Sequence, residues 1–277
     1  MALDPVPARS ESSQLEACGF YFALTQSAGI PAFAVSGGEP NLGGILLYAG
    51  ELDTAGRALV IGGNVAGCAT IAATADVSAQ KQSVRDGVVD FLVTSLDEAL
   101  RILKNEIRKR KTVAVCVGVA PELMEREMQE RGVQPDLVFA GLAGHNRAVR
   151  KFGAPSREIQ FREPNSGLEF ITWRVAQSAA RWMPKLDGIA LGCLAPNSWE
   201  HRWMRLCPKY LGRSAVGERV LYCEAGIAKE IAAGITKSVQ EGEIGAEVLL
   251  SVNHPEGDRT FRVSPGSNNE EPGQNNI

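Results

Sequence analysis

Three stretches of this sequence hold residues whose types and spacing could do chemistry. In the first, Gly62-Gly63-Asn64-Val65-Ala66-Gly67 follows an apolar run, Ala58 to Ile61. Glycines in such a turn let the backbone approach a ligand without a Cβ in the way. A helix opening behind them would aim its free N–H groups at a phosphate. The spacing departs from G-x-G-x-x-G, because Asn64 stands where the second glycine would be. Asp86, the acidic residue that could meet a ribose, lies before the next strand rather than at its end. The same six residues also read as a plain turn packing a helix on a strand.

The second stretch is Ala140-Gly141-Leu142-Ala143-Gly144-His145, after the strand-like run 135–141. Open α/β sheets bind ligands at the carboxyl ends of parallel strands, so His145 is either a ligand contact or a structural imidazole there. The third is Cys193, His201 and Cys207, beside Trp199 and Trp203. Two thiols and an imidazole could ligate zinc, but the Cys-x7-His-x5-Cys spacing matches no compact knuckle and lacks a fourth ligand. A cysteine nucleophile would need a lowered thiol pKa that nothing here indicates. The plainer reading is an amphipathic helix burying Trp199, Trp203 and Leu206.

These residues need elements to position them. Residues 14–28 suit a short helix, 44–49 (GILLYA) a strand, and 58–61 (ALVI) another strand ending at the glycine turn. The Ala-rich stretch 67–87 favours helix, and VVDFLV (88–93) reads as a strand buried on both sides. Ser95 with Glu98 forms a capping-box pattern opening a helix in which Leu96, Leu100, Leu103 and Ile107 share a face. TVAVCVGV (112–119) is a buried strand, Pro121 opens a helix that Gly132 ends, and 135–141 is a further strand. Strand and helix thus alternate from about 57 to 145, which predicts a parallel sheet covered by helices on both faces.

Beyond His145 the pattern changes. Residues 159–161 and 168–175 suggest a hairpin, AQSAARW a short helix ending before Pro184, and GIALGCL (188–194) a strand. A helix at 198–211, a strand at 219–223, a helix at 224–235 and a strand at 246–252 follow. The expected organisation is an N-terminal segment (1–40), a core (41–150), a smaller mixed α/β portion completing or capping it (151–252), and a disordered tail (253–277). That tail is rich in Asn, Gly, Pro and charge and offers no face to bury.

Composition narrows the function classes. The chain has 277 residues, a 44% apolar share and a net charge of −3 with both signs interspersed. That is normal for a globular protein and gives no basic face for nucleic acid or for a membrane surface. The first fifteen residues lack the apolar centre of a signal peptide, and no apolar run reaches the roughly 18 residues of a membrane helix. The six cysteines show no CxxC pairing and read as reduced thiols, which together points to a cytoplasmic protein.

Several segments also resemble the urocanate hydratase (urocanase) family. SLDEALRI (95–102) resembles the family's D-L-D-D-A-L, and ERGVQPDLV (130–138) its K-R-G-V-R-P-D-M-V. Leu137 to His145, LVFAGLAGH, falls without gaps on M-V-T-D-Q-T-S-A-H. Glu200 to Ile231 is similar to a segment holding H-R-W and A-R-I-C-W-V-G-L-G, and residues 47–50 echo a V-Y-G-G stretch. The resemblance implies a Rossmann-like domain that binds NAD. Gly141, Leu142, Ala143, Gly144 and His145 then inherit the contacts of the family's Q-T-S-A-H loop. Gly62, Gly63, Asn64 and Gly67 take the place of its Gly-rich pyrophosphate cradle, and Gly118, Val119 and Ala120 of its G-N-A loop.

In that family NAD acts as an electrophile: urocanate adds to the nicotinamide ring, and water then adds to the adduct. The resemblance therefore implies a small-molecule substrate with a carboxylate, for which Arg202 or Arg219 could supply a bidentate partner, and a homodimer. Two departures keep an alternative open. The family's F-C-R-G segment has no counterpart, and Gln, Thr and Ser of Q-T-S-A-H are replaced. A non-catalytic or partner-dependent nucleotide-binding module is the competing expectation to a hydratase acting on urocanate or a related small unsaturated acid.

Overall fold

Strand and helix alternate along the chain in the computed structural model, which describes residues 9–26, 40–139, 152, 156–159, 168–254 and 257–266. The order is α1 (Arg9–Thr25), β1 (Leu46–Glu51), α2 (Thr54–Ala66), β2 (Ala69–Ala73), α3 (Val77–Arg85), β3 (Phe91–Val93), α4 (Leu96–Arg108), β4 (Val113–Val117), α5 (Pro121–Glu130), β5 (Leu137–Phe139) and β6 (Arg157–Ile159). Then come β7 (Leu168–Val175), α6 (Ala179–Cys193), α7 (Trp199–Leu211), a 3-10 turn (Gly212–Ala215), β8 (Glu218–Glu224), α8 (Ala225–Gln240), β9 (Val248–His254) and β10 (Gly257–Val263). The chain divides into two units, residues 1–163 with 196–215, and residues 164–195 with 216–277.

The first unit is built on a six-stranded sheet in the order β3-β4-β2-β1-β5-β6, and every strand pair in it is parallel. One face carries Leu46, Tyr48, Ile71, Val115 and Val138 against α4 and α5, through Leu96, Leu103, Met124 and Met128. The other face carries α2, whose Gly63 lies against Leu47 and Thr70, and α1 and α7 pack on α2 in turn. This is the Rossmann-like, doubly covered parallel sheet that the alternation predicted. The capping box is present as well: Ser95 Oγ accepts the Glu98 N–H, and Glu98 Oε2 reaches back to the Thr94 N–H.

Several local readings are corrected. Residues 58–61 are helix, not strand; they form the middle of α2, which is buried over nearly its whole circumference. A short apolar run is the same in a core strand and a core helix, and periodicity cannot separate the two. The Ala-rich stretch 67–87 is not one helix but β2 followed by α3, because pairing with β1 and β4 on either side outweighs the helix preference of alanine. Of the run 88–93 only 91–93 is strand, and as the sheet's outer strand it leaves Phe91 and Leu92 exposed.

The second unit has an antiparallel sheet in the order β10-β9-β7-β8, with α8 packed against all of its strands. Strand β7 alternates half-buried and buried positions, which places Ile171, Trp173 and Val175 on its covered face. The expected hairpin of 159–161 with 168–175 is absent: β6 pairs with β5 in the first sheet, while β7 pairs with β8 and β9. Helix α6 runs through Pro184 and takes in residues 188–193, read from sequence as strand. Proline there costs one backbone bond, while Leu186 and Ala190, four residues apart, are buried together. Strand β10 lies within the stretch expected to be disordered and pairs with β9 from Gly257 to Val263.

Candidate functional site

Strand order locates the crevice. From β1 the chain moves to β2 on one side, and only later to β5 on the other. The strand order therefore reverses at β1, and open parallel sheets bind ligands at the carboxyl ends of the strands beside such a switch point. At β1 the connection is short. Gly50 has φ of +72° beside an irregularity in the β1–β2 register. Leu52 is buried and donates its N–H to the Ala73 carbonyl at 3.1 Å. Asp53 then caps α2, its Oδ1 accepting the Gly56 N–H at 2.9 Å.

Gly56 seats that helix on the strand. A Cβ there would lie 1.8 Å from the Glu51 carbonyl oxygen, so only glycine allows so close an approach. Asp76 follows β2, 20 residues after Gly56 in the sequence, and caps α3 by accepting the Ser78 N–H at 2.7 Å. Gln80, buried, donates from Nε2 to the Thr74 carbonyl at 2.8 Å, and a Cβ at Gly118 would lie 3.3 Å from that nitrogen. Below the edge, the Tyr48 hydroxyl donates to Glu125 Oε1 at 3.0 Å, with both residues buried.

The sequence-predicted residues fall in four places. Gly62, Gly63 and Asn64 are inside α2, not in a turn at the sheet edge. Gly62 lets α1 approach, since a Cβ would meet the Tyr21 nitrogen at 2.9 Å. Asn64 donates Nδ2 to the Val88 carbonyl, and Gly67 ends the helix at φ of +98°. These four residues pack α2; they do not form a phosphate cradle. Gly118, Val119 and Ala120 do stand at the carboxyl end of β4, with the Gly118 and Val119 N–H groups bonded to the Val93 and Val117 carbonyls. Gly141, Leu142, Ala143, Gly144 and His145 lie outside the described residues.

Arg202 and Arg219 are each engaged by partners within the protein. Arg202, in α7, is buried and donates Nε to the Val65 carbonyl at 2.7 Å, closing the C-terminal end of α2. Arg219 belongs to the second unit and binds Asp187 Oδ2 through Nε at 3.1 Å and Nη2 at 2.9 Å. Burial pushes the Asp187 carboxyl up, and Arg219 offsets part of that rise. Replacing Arg202 by Ala is expected to cost about 2 kcal/mol, through the abandoned carbonyl, with Arg202→Lys failing to restore it because lysine has no Nε–H. Chemical denaturation measures both; a rescue by lysine would contradict the bond to Val65.

The cysteines offer no nucleophile in the crevice. Burial pushes Cys68 up to about 12 and Cys116 up to about 11. Among the described residues no group of three His, Cys, Asp or Glu could hold a metal ion, and no helix is long and apolar enough to cross a membrane.

The residues missed from sequence were Glu51, Asp53, Asp76 and Gln80. Their signals were present: Asp53 and Asp76 are acidic N-caps before helical runs, and Asp76 sits after the strand that follows Gly56.

A parallel, doubly covered sheet with a ligand crevice at its switch point defines a Rossmann-like domain. The family model described as Urocanase Rossmann-like domain matches residues 33–151, so this segment is similar to that domain. A protein of Variovorax sp. (strain JCM 16519 / RA8) named S-methyl thiourocanate hydratase is 22% identical, over 79% of this chain and 53% of that protein. The chain thus spans about half the length of that curated relative.

NAD is the cofactor of the urocanase resemblance, and the residues present do not fit its pyrophosphate. Where phosphate would meet the N-terminus of α2, Asp53 already holds the Gly56 N–H, and Glu51 and Leu52 stand in place of glycines.

Proposed function

We propose that this protein is a urocanase-like ligand-binding module that takes a small molecule at the β1/β5 crevice and does not itself carry out NAD-dependent hydration. The observation that carries this reading is the β1–α2 connection, where a carboxylate caps the helix that would have to receive a phosphate. An anion at that position adds like charge where the helix dipole would otherwise favour the ligand. The ligand class follows from the relative's name: urocanate or a substituted urocanate, an imidazole joined to a short unsaturated acid.

A second reading is a urocanase-like hydratase in which NAD serves as electrophile. It is favoured by the likeness to a hydratase over 79% of the chain. One experiment separates the two. Protein purified gently and denatured is analysed by mass spectrometry for released NAD, while loss of urocanate absorbance is followed with and without added NAD. The first reading expects no NAD and no turnover, together with a thermal shift on adding urocanate or S-methyl thiourocanate. Stoichiometric NAD with turnover would establish the second.

A further inference from the structure

We propose that the outer edge of the first sheet, β3 with the flanking α3 and α4, is the surface on which two copies of this chain pair about a twofold axis. Four large apolar side chains from one short stretch lie open there. Phe91 is 46% exposed and Leu92 42%, while Val77 and Val84 of α3 are 56% and 43% exposed. Side chains alternate along a strand, so Phe91 and Leu92 open on opposite faces of the sheet. Val77 and Val84, seven residues apart, share one side of their helix. Single exposed apolar residues are ordinary. A strand of a parallel sheet is normally covered on both faces, and β3 is open on both.

The edge is also unguarded. Among the described residues β3 pairs with β4 alone, and it holds no lysine or proline. The charged residue beside it, Asp90, turns inward, its Oδ2 accepting the Ala114 N–H at 2.8 Å. An outer strand left so bare is a template for another strand. Charge favours a second copy as the occupant. The groove beside β3, lined by Phe91 and Ile102, carries both signs, Arg101 with Asp90 and Glu106. A partner of one sign would meet like charge somewhere along it. A twofold axis instead offers the base of each copy to the acids of the other. With the axis at Leu92, the two β3 strands run antiparallel, Leu92 opposes Leu92, and Phe91 opposes Val93. Helices α3 and α4 of the two copies then meet on either face and widen the contact. The pairing does not depend on what the crevice binds.

Size-exclusion chromatography with light scattering, at micromolar protein, is expected to show a dimer. Leu92→Lys should weaken association at least about tenfold, because two like charges would face each other at the axis. Leu123→Lys, on α5 and 49% exposed, should leave the dimer intact, with circular dichroism confirming the fold of each variant. Leu92→Cys should give a disulfide-linked dimer on mild oxidation, since directly opposed residues of antiparallel strands lie within disulfide reach. The unmodified protein, whose own cysteines are buried or half-buried, should not cross-link. Should Leu92→Lys fail to fold, the cross-link decides. A monomeric unmodified protein, a dimer unchanged by Leu92→Lys, or one that Leu92→Cys does not cross-link overturns the proposal.

Discussion

Gly56→Ala is expected to lower folding stability by about 3 kcal/mol or more, at the upper end of overpacking costs. The methyl carbon would lie 1.8 Å from the Glu51 carbonyl oxygen and 2.9 Å from its carbon. Both are backbone atoms of a paired strand, so neither can swing aside as a flexible side chain could. Alanine's helix preference recovers only about 1 kcal/mol. The effect should appear in urea denaturation as a lower midpoint with an unchanged slope. A change within about 0.5 kcal/mol, the usual range for neutral surface positions, would mean that α2 does not begin on the end of β1.

Trp203→Ala is expected to cost about 3–5 kcal/mol, the range for a deleted core aromatic. Trp203 is fully buried in α7, and its ring lies 5.2 Å from that of Tyr21 in α1 at 38°. Tyr21 is tied to the same helix a second time, its hydroxyl donating to the Trp199 carbonyl at 2.7 Å. The cavity cannot collapse without separating α1 from α7. Trp203→Phe, which keeps a ring in the space, should recover about half of the loss. Equal losses for Ala and Phe would argue that the indole edge, not the volume, carries the contact.

How much of this was legible beforehand differs by element. Where a helix had both a start signal and one apolar face, as from the Ser95 cap to Ile107 or from Pro121 to Gly132, local chemistry and tertiary role agree, and sequence reading located them. The sheet class was legible too, because alternation survives small shifts of boundary. The errors cluster where an element is buried all round. α2 has apolar residues on every side, so it shows no helical stripe, and its length was hidden by Gly62 and Gly63. Those glycines look like a turn but exist because Tyr21 and Leu47 approach from opposite sides. Once α2 was taken for a strand and turn, the sheet edge moved by more than ten residues, and the acidic connection at 51–53 was overlooked.

Arg202 was misread for a related reason. An arginine in an H-R-W motif suggests recognition of an acid, and nothing local says that its guanidinium turns back to close a helix 137 residues away in sequence. Arg219 likewise finds Asp187, from a helix whose second half, 188–193, the sequence presents as strand. The chemistry of a long side chain is set by what folds over it, and the one-dimensional pattern does not contain that.

The return of α7 to the first unit has a consequence for how this protein is made. The urocanase-domain match ends at residue 151, but the layer on α2 is finished only by residues 199–211, with Arg202 and Trp203 among them. On the ribosome, the sheet and its first helices emerge with α1 on α2 but the part of α2 that α7 covers still open. They wait through some fifty further residues, including β7 and α6 of the other unit, before that side is sealed. Assembly of the first unit is therefore tied to synthesis of the second. A gene fragment cut at the end of the family match would code for a domain with one wall missing.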